Sequence, residues 1–484
     1  MLFHSPTARK WLASILFLMC TSALSAPSSA QQVDPSRFRL SQPDGTYVRA
    51  LRSTWNLTGY GWLLKLTADS ATVYNYAGDL CWRDPLLSGD LAKQVLTRYY
   101  AFPRRPLRVN FAETPEGTQY PARWMQFTPA ICKRPPDTSP QFTFEAVAAT
   151  LKDYYPLPFA SARGVNWSER IARLRPLARA ARSDAELKAV MEQLLSGLGD
   201  PHTSISGNVD ETYFTIGSRS KFTFARLHEA FAQQSEIDDF FAYTKAWRNQ
   251  QQEMVFATLE TTSRRRLLGD NVVWGRLPGD VGYLAVEQIG DFGEGASLTQ
   301  ERELLASALD TALDDLADTR AIILDLSNSL GGYESAAHDI ASRFTNTNIV
   351  SYYKKPNSQN HTMFQEVTIR PAVGRRYTRP VVLLTSDMTV SASEIVVLAM
   401  RNFPNVRHVG TATQGALSAM LSKGLPNGWA LGITSEVVLD PHGRSFEVSG
   451  IPPAVEFPVY ESADFDLGRL NAILRAQQLA LTAQ

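Results

Sequence analysis

From residue 280 onward, short apolar runs alternate with stretches whose apolar positions recur at helical spacing. Residues 281–286, 321–326, 381–385 and 406–410 are the short runs; the first three are near-continuously apolar, as a strand buried on both faces must be, while Arg407 and His408 interrupt the last. Between them, Leu305, Leu309, Leu313 and Leu316 fall on one face of a helix predicted over 298–316. Further helices are predicted over 334–344 and 394–401. Strands separated by helices imply parallel pairing through crossover connections. In such sheets, ligand sites form where loops leave the carboxyl ends of the strands.

The chain before residue 280 has a different rhythm. Residues 38 to about 135 are rich in aromatic and β-branched residues, with strands predicted over 60–66 and 70–76 and turns at Pro43-Asp44-Gly45 and Glu116-Gly117. A small β-domain, barrel or sandwich, is expected, and the Pro-rich stretch 133–140 reads as its linker. Helical spacing then takes over. Phe144, Val147, Leu151 and Tyr154 form one apolar stripe; Leu187, Val190, Leu194 and Leu195 form another, with Asp184 as its candidate cap. Within 206–275 the pattern gives only a helix near 224–259. The expected organisation is a leader over 1–30, a β-domain over 31–137, a helical domain over 138–205, a connecting helical region over 206–275 and an α/β core over 276–484.

The leader is read from its charge and hydropathy. Arg9 and Lys10 precede an apolar run over 11–20, and small residues follow to Ala30. That is the layout of a cleaved export signal, cut after Ala30, and the run is short for a membrane span. An N-terminal anchor is the alternative. No later segment is apolar enough to enter a membrane stably. Basic and acidic residues balance at 48 each, which argues against nucleic acid as a partner. Beyond Cys20, only Cys81 and Cys132 remain. In an oxidising compartment the two can pair, and the bridge would stabilise by roughly 3–5 kcal/mol in the chain-entropy model; two buried thiols are the alternative. No Cys or His cluster has metal-ligand spacing, since Gln233 stands where a zinc helix beginning at His228-Glu229 needs its second His.

Two strand exits carry candidate chemistry. The first, Asp325-Leu326-Ser327-Asn328-Ser329-Leu330-Gly331-Gly332, ends a strand and opens a helix with two glycines. Their amides can approach a substrate closely, so the Gly331 or Gly332 N–H is a candidate oxyanion donor; a tight strand–helix turn is the plainer reading. The second exit runs from Thr385 to Glu394 and contains Ser391-Ala392-Ser393-Glu394. Ser391 and Glu394 have capping-box spacing, so Ser391 either caps a helix or uses the helix N-terminus as a nucleophile, with the Ala392 amide beside it. A serine needs a base. His202, in Leu198-Gly199-Asp200-Pro201-His202-Thr203-Ser204, lies in a turn-rich segment after a helix, and Glu447 could orient an imidazole.

Taken in order, the blocks at 198–204, 325–332, 389–394 and 410–415, with Leu425-Pro426-Asn427-Gly428 and the segment 447–453, resemble the tail-specific, or C-terminal-processing, serine peptidases. The likeness is greatest to the subgroup holding the tricorn core and the interphotoreceptor retinoid-binding repeats. It covers roughly 145–460 and implies a crotonase/ClpP-like α/β core, with a parallel-rich sheet and crossover helices, preceded by a helical segment and the small N-terminal β-domain. Carried over by motif, Ser391 is the nucleophile, His202 the base and Glu447 the orienting carboxylate, with Gly331 and the Ala392 amide as the oxyanion hole. The chain departs from the pattern in three ways. Ala416 stands where many relatives place a catalytic lysine, and Lys423 nearby does not fit the motif. Ser327 and Ser329 replace the Arg and Asn of the usual Asp-Leu-Arg-x-Asn-x-Gly-Gly block, so a looser oxyanion turn is expected. No PDZ segment precedes the core.

The resemblance implies hydrolysis of a peptide or unfolded protein by an exported enzyme, without metal, nucleotide or other cofactor. A binding protein for an apolar ligand or peptide on the same scaffold is the rival expectation, and an interaction protein working through its β-domain is a second. The sequence sets neither substrate preference nor oligomeric state.

Overall fold

The chain forms two units. The structure, a computed structural model, describes residues 38–105, 107–115, 117–217, 221–357, 362–460 and 465–482. The expected leader over 1–30 and Glu116 of the second predicted turn lie outside the described residues. One unit comprises Met1–Ser218, Lys355–Gln365 and Ala419–Val437; the other comprises Arg219–Lys354, Glu366–Ser418 and Val438–Gln484.

The first unit opens with an eight-stranded antiparallel sheet. Its order is Phe38–Arg39, Tyr100–Arg105, Arg108–Ala112, Tyr120–Met125, Thr54–Leu57, Trp62–Leu66, Ala71–Ala77 and Leu80–Arg83. Burial alternates strictly along Ala71–Ala77, and Ala71 and Val73 enter a core that includes Trp55, Leu64 and Phe111. Cys81 and Cys132 are joined by a disulfide with Cα atoms 4.8 Å apart. The helices Pro140–Tyr154 and Asp184–Leu195 follow the two predicted stripes, and the helix Trp167–Ala180 lies between them in sequence. The cap of the last is Ser183 rather than Asp184. Ser183 has extended backbone angles and its Oγ accepts from the Glu186 N–H at 3.2 Å, which leaves Asp184 as the first helical residue.

The unit also holds a four-stranded antiparallel sheet in the order Thr212–Gly217, Ser204–Val209, Ala430–Thr434 and Met420–Gly424. Ala430 pairs with Ser206 and Gly432 with Ser204. The units are therefore discontinuous and do not coincide with the contiguous segments read from composition. Backbone pairing joins strands more than two hundred residues apart, which local periodicity cannot register.

The second unit is a three-layer α/β structure. Its seven-stranded sheet runs Arg265–Leu267, Val272–Leu277, Val281–Val286, Ala321–Asp325, Val381–Thr385, Val406–Gly410 and Val455–Glu456. From Val281–Val286 onward every pairing is parallel. The central strands bury every residue, and alternate side chains feed different cores. Leu284, Ile322 and Leu383 pack with the helices Leu298–Asp315, Glu334–Ser342 and Ala392–Met400. Tyr283, Ile323 and Val382 pack with residues of Phe222–Gln233, Phe240–Thr258 and Gly468–Thr482. Two helices replace the single one predicted near 224–259. The Gln234 side chain accepts from the Glu236 and Ile237 amides at 2.9 Å, turning the chain, and Asp239 caps the second helix through the Ala242 N–H at 2.7 Å. Among the described residues, no helix is long and apolar enough to cross a membrane.

Candidate active site

Two neighbouring parallel strands, Ala321–Asp325 and Val381–Thr385, end at the loops that carry the glycines and the serine. The glycine turn is dictated by crowding. Gly331 has φ 81°, and a Cβ there would lie 2.6 Å from the Val390 carbonyl oxygen, 2.7 Å from Ser391 Cβ and 3.0 Å from the Ala392 nitrogen. Only glycine permits that approach. Gly331 is thereby set directly against the Ser391-Ala392 step. Among the described residues, the amides of Gly331 and Ala392 donate to no protein acceptor.

The turn is not loose, contrary to the expectation from Ser327 and Ser329. The Ser329 hydroxyl is 2.6 Å from that of Ser393, and the Val390 N–H donates to the Ser329 carbonyl at 3.2 Å. Thr389 Oγ1 donates to the Leu326 carbonyl at 2.8 Å, and the Ser386 hydroxyl donates to the Ser327 carbonyl. Short hydroxyls and backbone amides thus do the tying.

Ser391 is half-buried at the mouth of the helix Ala392–Met400, which is buried all round, as its apolar run after Glu394 demands. Its backbone is unusual, with φ 61° and ψ −126°. An ordinary N-cap is extended, so capping alone does not explain this geometry. Such strain persists only where the surroundings over-determine it, and it concentrates at functional sites. The determinant here is Glu394, which is fully buried. One of its carboxylate oxygens accepts from Thr413 Oγ1 at 2.6 Å and the Gly415 N–H at 2.7 Å. The other accepts from the Ala416 N–H at 2.8 Å and the Ser391 N–H at 3.1 Å. Burial raises the Glu394 carboxyl above its ordinary 4.5, and these hydrogen bonds oppose that rise. The sequence exposed Glu394 only as capping-box spacing; three of its four donors come from about twenty residues downstream, beyond the reach of any local signal.

Glu447 lies in the same unit. Its Oε2 accepts from the Leu417 and Ser418 amides at 2.8 and 3.0 Å. Residues 413–418 are therefore held by two buried carboxylates, Glu394 and Glu447, and Ala416 sits between their contacts. The following residue, Val448, has φ 73°, a second strained non-glycine backbone beside a candidate group.

His202 belongs to the first unit and is buried there. Its backbone N–H donates to Asp200 Oδ1 at 3.0 Å. Asp200 also accepts from Tyr155, Thr203 and Thr434 at 2.9, 2.7 and 3.1 Å, and Arg163 lies 3.8 Å away. The Asp-Pro-His-Thr turn is thus built around one carboxylate. Other histidines have structural partners: His408 meets the Thr385 hydroxyl at 2.8 Å and is pushed down to about 3 by burial, His338 meets the Tyr352 hydroxyl at 2.7 Å, and His228 stacks on Phe240. Lys423 is buried in the first unit. It donates to the Tyr60 and Gly61 carbonyls at 2.9 and 2.7 Å, and burial lowers its pKa to about 7. Among the described residues, no group of three or more His, Cys, Asp or Glu could hold a metal ion.

Known proteins match this chain in part. The model of peptidase family S41 matches residues 280–457. The carboxy-terminal processing protease CtpA of Bacillus subtilis (strain 168) is 28% identical over 169 residues, covering 34% of this chain and 35% of that protein. A carboxy-terminal-processing protease of Bartonella bacilliformis is 28% identical over 205 residues, covering 40% of this chain and 43% of that protein. The chain therefore spans less than half the length of either curated relative. A crystal structure from Parabacteroides merdae ATCC 43184, whose assignment as a peptidase is itself provisional, aligns with a TM-score of 0.54 at 22% identity. It covers 72% of this chain and 98% of its own, and speaks for the fold alone. Over residues 280–457, the chain is similar to peptidase family S41.

Proposed function

We propose that the protein is an exported serine peptidase in which Ser391 attacks a peptide carbonyl. The observation that carries this reading is the seating of Gly331 against the strained Ser391-Ala392 step, with two backbone amides at one serine. In the proposed cycle His202, the base assigned by motif, takes the Ser391 proton, and Glu447 orients the imidazole. The Gly331 and Ala392 amides hold the oxyanion. The protonated imidazole returns its proton to the leaving amine, and water then releases the acyl group. No step calls for a metal or other cofactor. The substrate class is peptide or unfolded protein. Export is supported by the leader pattern and by the Cys81–Cys132 bridge, which persists in oxidising compartments. The core is read as the crotonase/ClpP-like variety on the strength of its parallel sheet and crossover helices.

A fluorophosphonate probe tests the reading. Wild-type protein should be labelled covalently, Ser391→Ala should not, and His202→Ala should be slowed about 100-fold or more. Folded wild-type protein that resists the probe across neutral pH would instead favour the non-catalytic binder.

A further inference from the structure

The family block usually carries Arg and Asn where this chain has Ser327 and Ser329, and neither serine is long enough to brace the turn from outside. A guanidinium nevertheless reaches it. Arg248, in the helix Phe240–Thr258, lies eighty residues upstream of Asn328. Its Nε donates to Asn328 Oδ1 at 3.1 Å, and its Nη2 donates to the Asn328 carbonyl at 2.8 Å. The Asn328 side-chain amide returns a bond to the Arg248 carbonyl at 3.3 Å. The same Nη2 donates to the Glu287 carbonyl at 3.2 Å, which also accepts the Leu330 N–H at 3.0 Å. One cation therefore contacts the turn on both sides of Ser329, directly at Asn328 and through Glu287 at Leu330. The next N–H along the chain is that of Gly331.

We infer that Arg248 is a positioning residue for the oxyanion turn, adding from a distant helix a charged brace to the ties made by the turn's own hydroxyls and amides. This rests on the proposed role of the Gly331 amide. A planar guanidinium suits the task because its donors form a fixed fork, which a lysine cannot reproduce. Arg248 is held in turn by Glu287, 3.5 Å away, and Glu287 is paired with Arg469 at 2.6 Å. Glu287 thus keeps a cationic partner when Arg248 is replaced, so the loss should fall mainly on the turn.

A purely structural Arg248 would affect stability alone, so the test measures chemistry per folded molecule. Fluorophosphonate acylation is followed in wild type, Ser391→Ala, Arg248→Ala and Arg248→Lys, with probe affinity separated from the acylation step and melting recorded in parallel. The expected result for Arg248→Ala is acylation slowed about 10- to 100-fold at unchanged probe affinity, partly restored by millimolar guanidinium. Arg248→Lys should be intermediate and indifferent to added guanidinium. Wild-type acylation rates in folded Arg248→Ala, or slowing that guanidinium does not relieve, would overturn the inference while leaving Ser391 as nucleophile. Should Arg248→Ala not fold, wild-type rates in Arg248→Lys would overturn it. A wild-type protein that is never labelled would remove the proposed function, and this inference with it.

Discussion

Asp200 and Glu394 do the same job in different units, by different means. Each is a buried carboxylate that gathers the donors of one short turn, and each turn carries a candidate catalytic side chain. Asp200 gathers three hydroxyls and the His202 amide, and has Arg163 within 3.8 Å. Glu394 gathers one hydroxyl and three amides, with no cation among its donors. A buried carboxylate held only by neutral donors keeps its charge at the expense of burial, which accounts for the raised Glu394 pKa. Ser391 is thus held by an anion whose charge is more readily lost than that of an ordinary carboxyl.

The largest effect should come from Glu394→Gln. The amide matches the shape but turns two N–H groups toward an end where two donors already point. We expect a loss of about 3 kcal/mol in stability, read by denaturant unfolding, and at least about a 100-fold fall in fluorophosphonate labelling of Ser391. Labelling at the wild-type rate would show that Ser391 does not depend on this anion. Asp200→Asn should do less to the chemistry and as much to the fold. It leaves the Arg163 guanidinium without its carboxylate, and we expect about 2–3 kcal/mol of destabilisation, with labelling per folded molecule reduced only about tenfold.

The smallest effect is on pH. The folded protein holds the Glu394 proton more tightly than the unfolded chain, whose carboxyl titrates near 4.5. As pH falls from the raised folded value toward about 4.5, the folded state takes up the proton first and gains stability from this group; as pH rises again, that gain is lost. The melting-temperature difference between wild type and Glu394→Gln should therefore shift with pH in this window. A difference independent of pH would equate the protonation behaviour of Glu394 in the folded and unfolded chain and erase its contrast with an ordinary carboxyl.

Much of this arrangement was legible where local pattern determines it. The strands 281–286 and 381–385 were visible as buried apolar runs, and the helix predicted over 298–316 is Leu298–Asp315. The serine and glycine turns were visible as candidates because both leave the carboxyl ends of parallel strands, although the same residues also serve as plain caps and turns. What escaped were partners supplied from afar. Nothing near Glu394 announces Thr413, Gly415 and Ala416, and nothing near Ser327 announces Arg248. The break at 234–239 was hidden for another reason. Gln234 turns the chain with its side chain, and glutamine is not a turn residue by composition.

Lys423 carries a consequence of its own. Its ammonium is enclosed by carbonyl oxygens and aromatic rings, with a pKa near 7 against an unfolded value of 10.5. Below neutrality the native fold must shelter a full charge that the unfolded chain leaves in water, and above it that burden lifts until the unfolded amine titrates as well. The β-rich half of the molecule should tolerate mildly alkaline solutions better than acidic ones, the reverse of what the carboxyl beside Ser391 prefers, so that a single change of buffer strengthens one half while weakening the other.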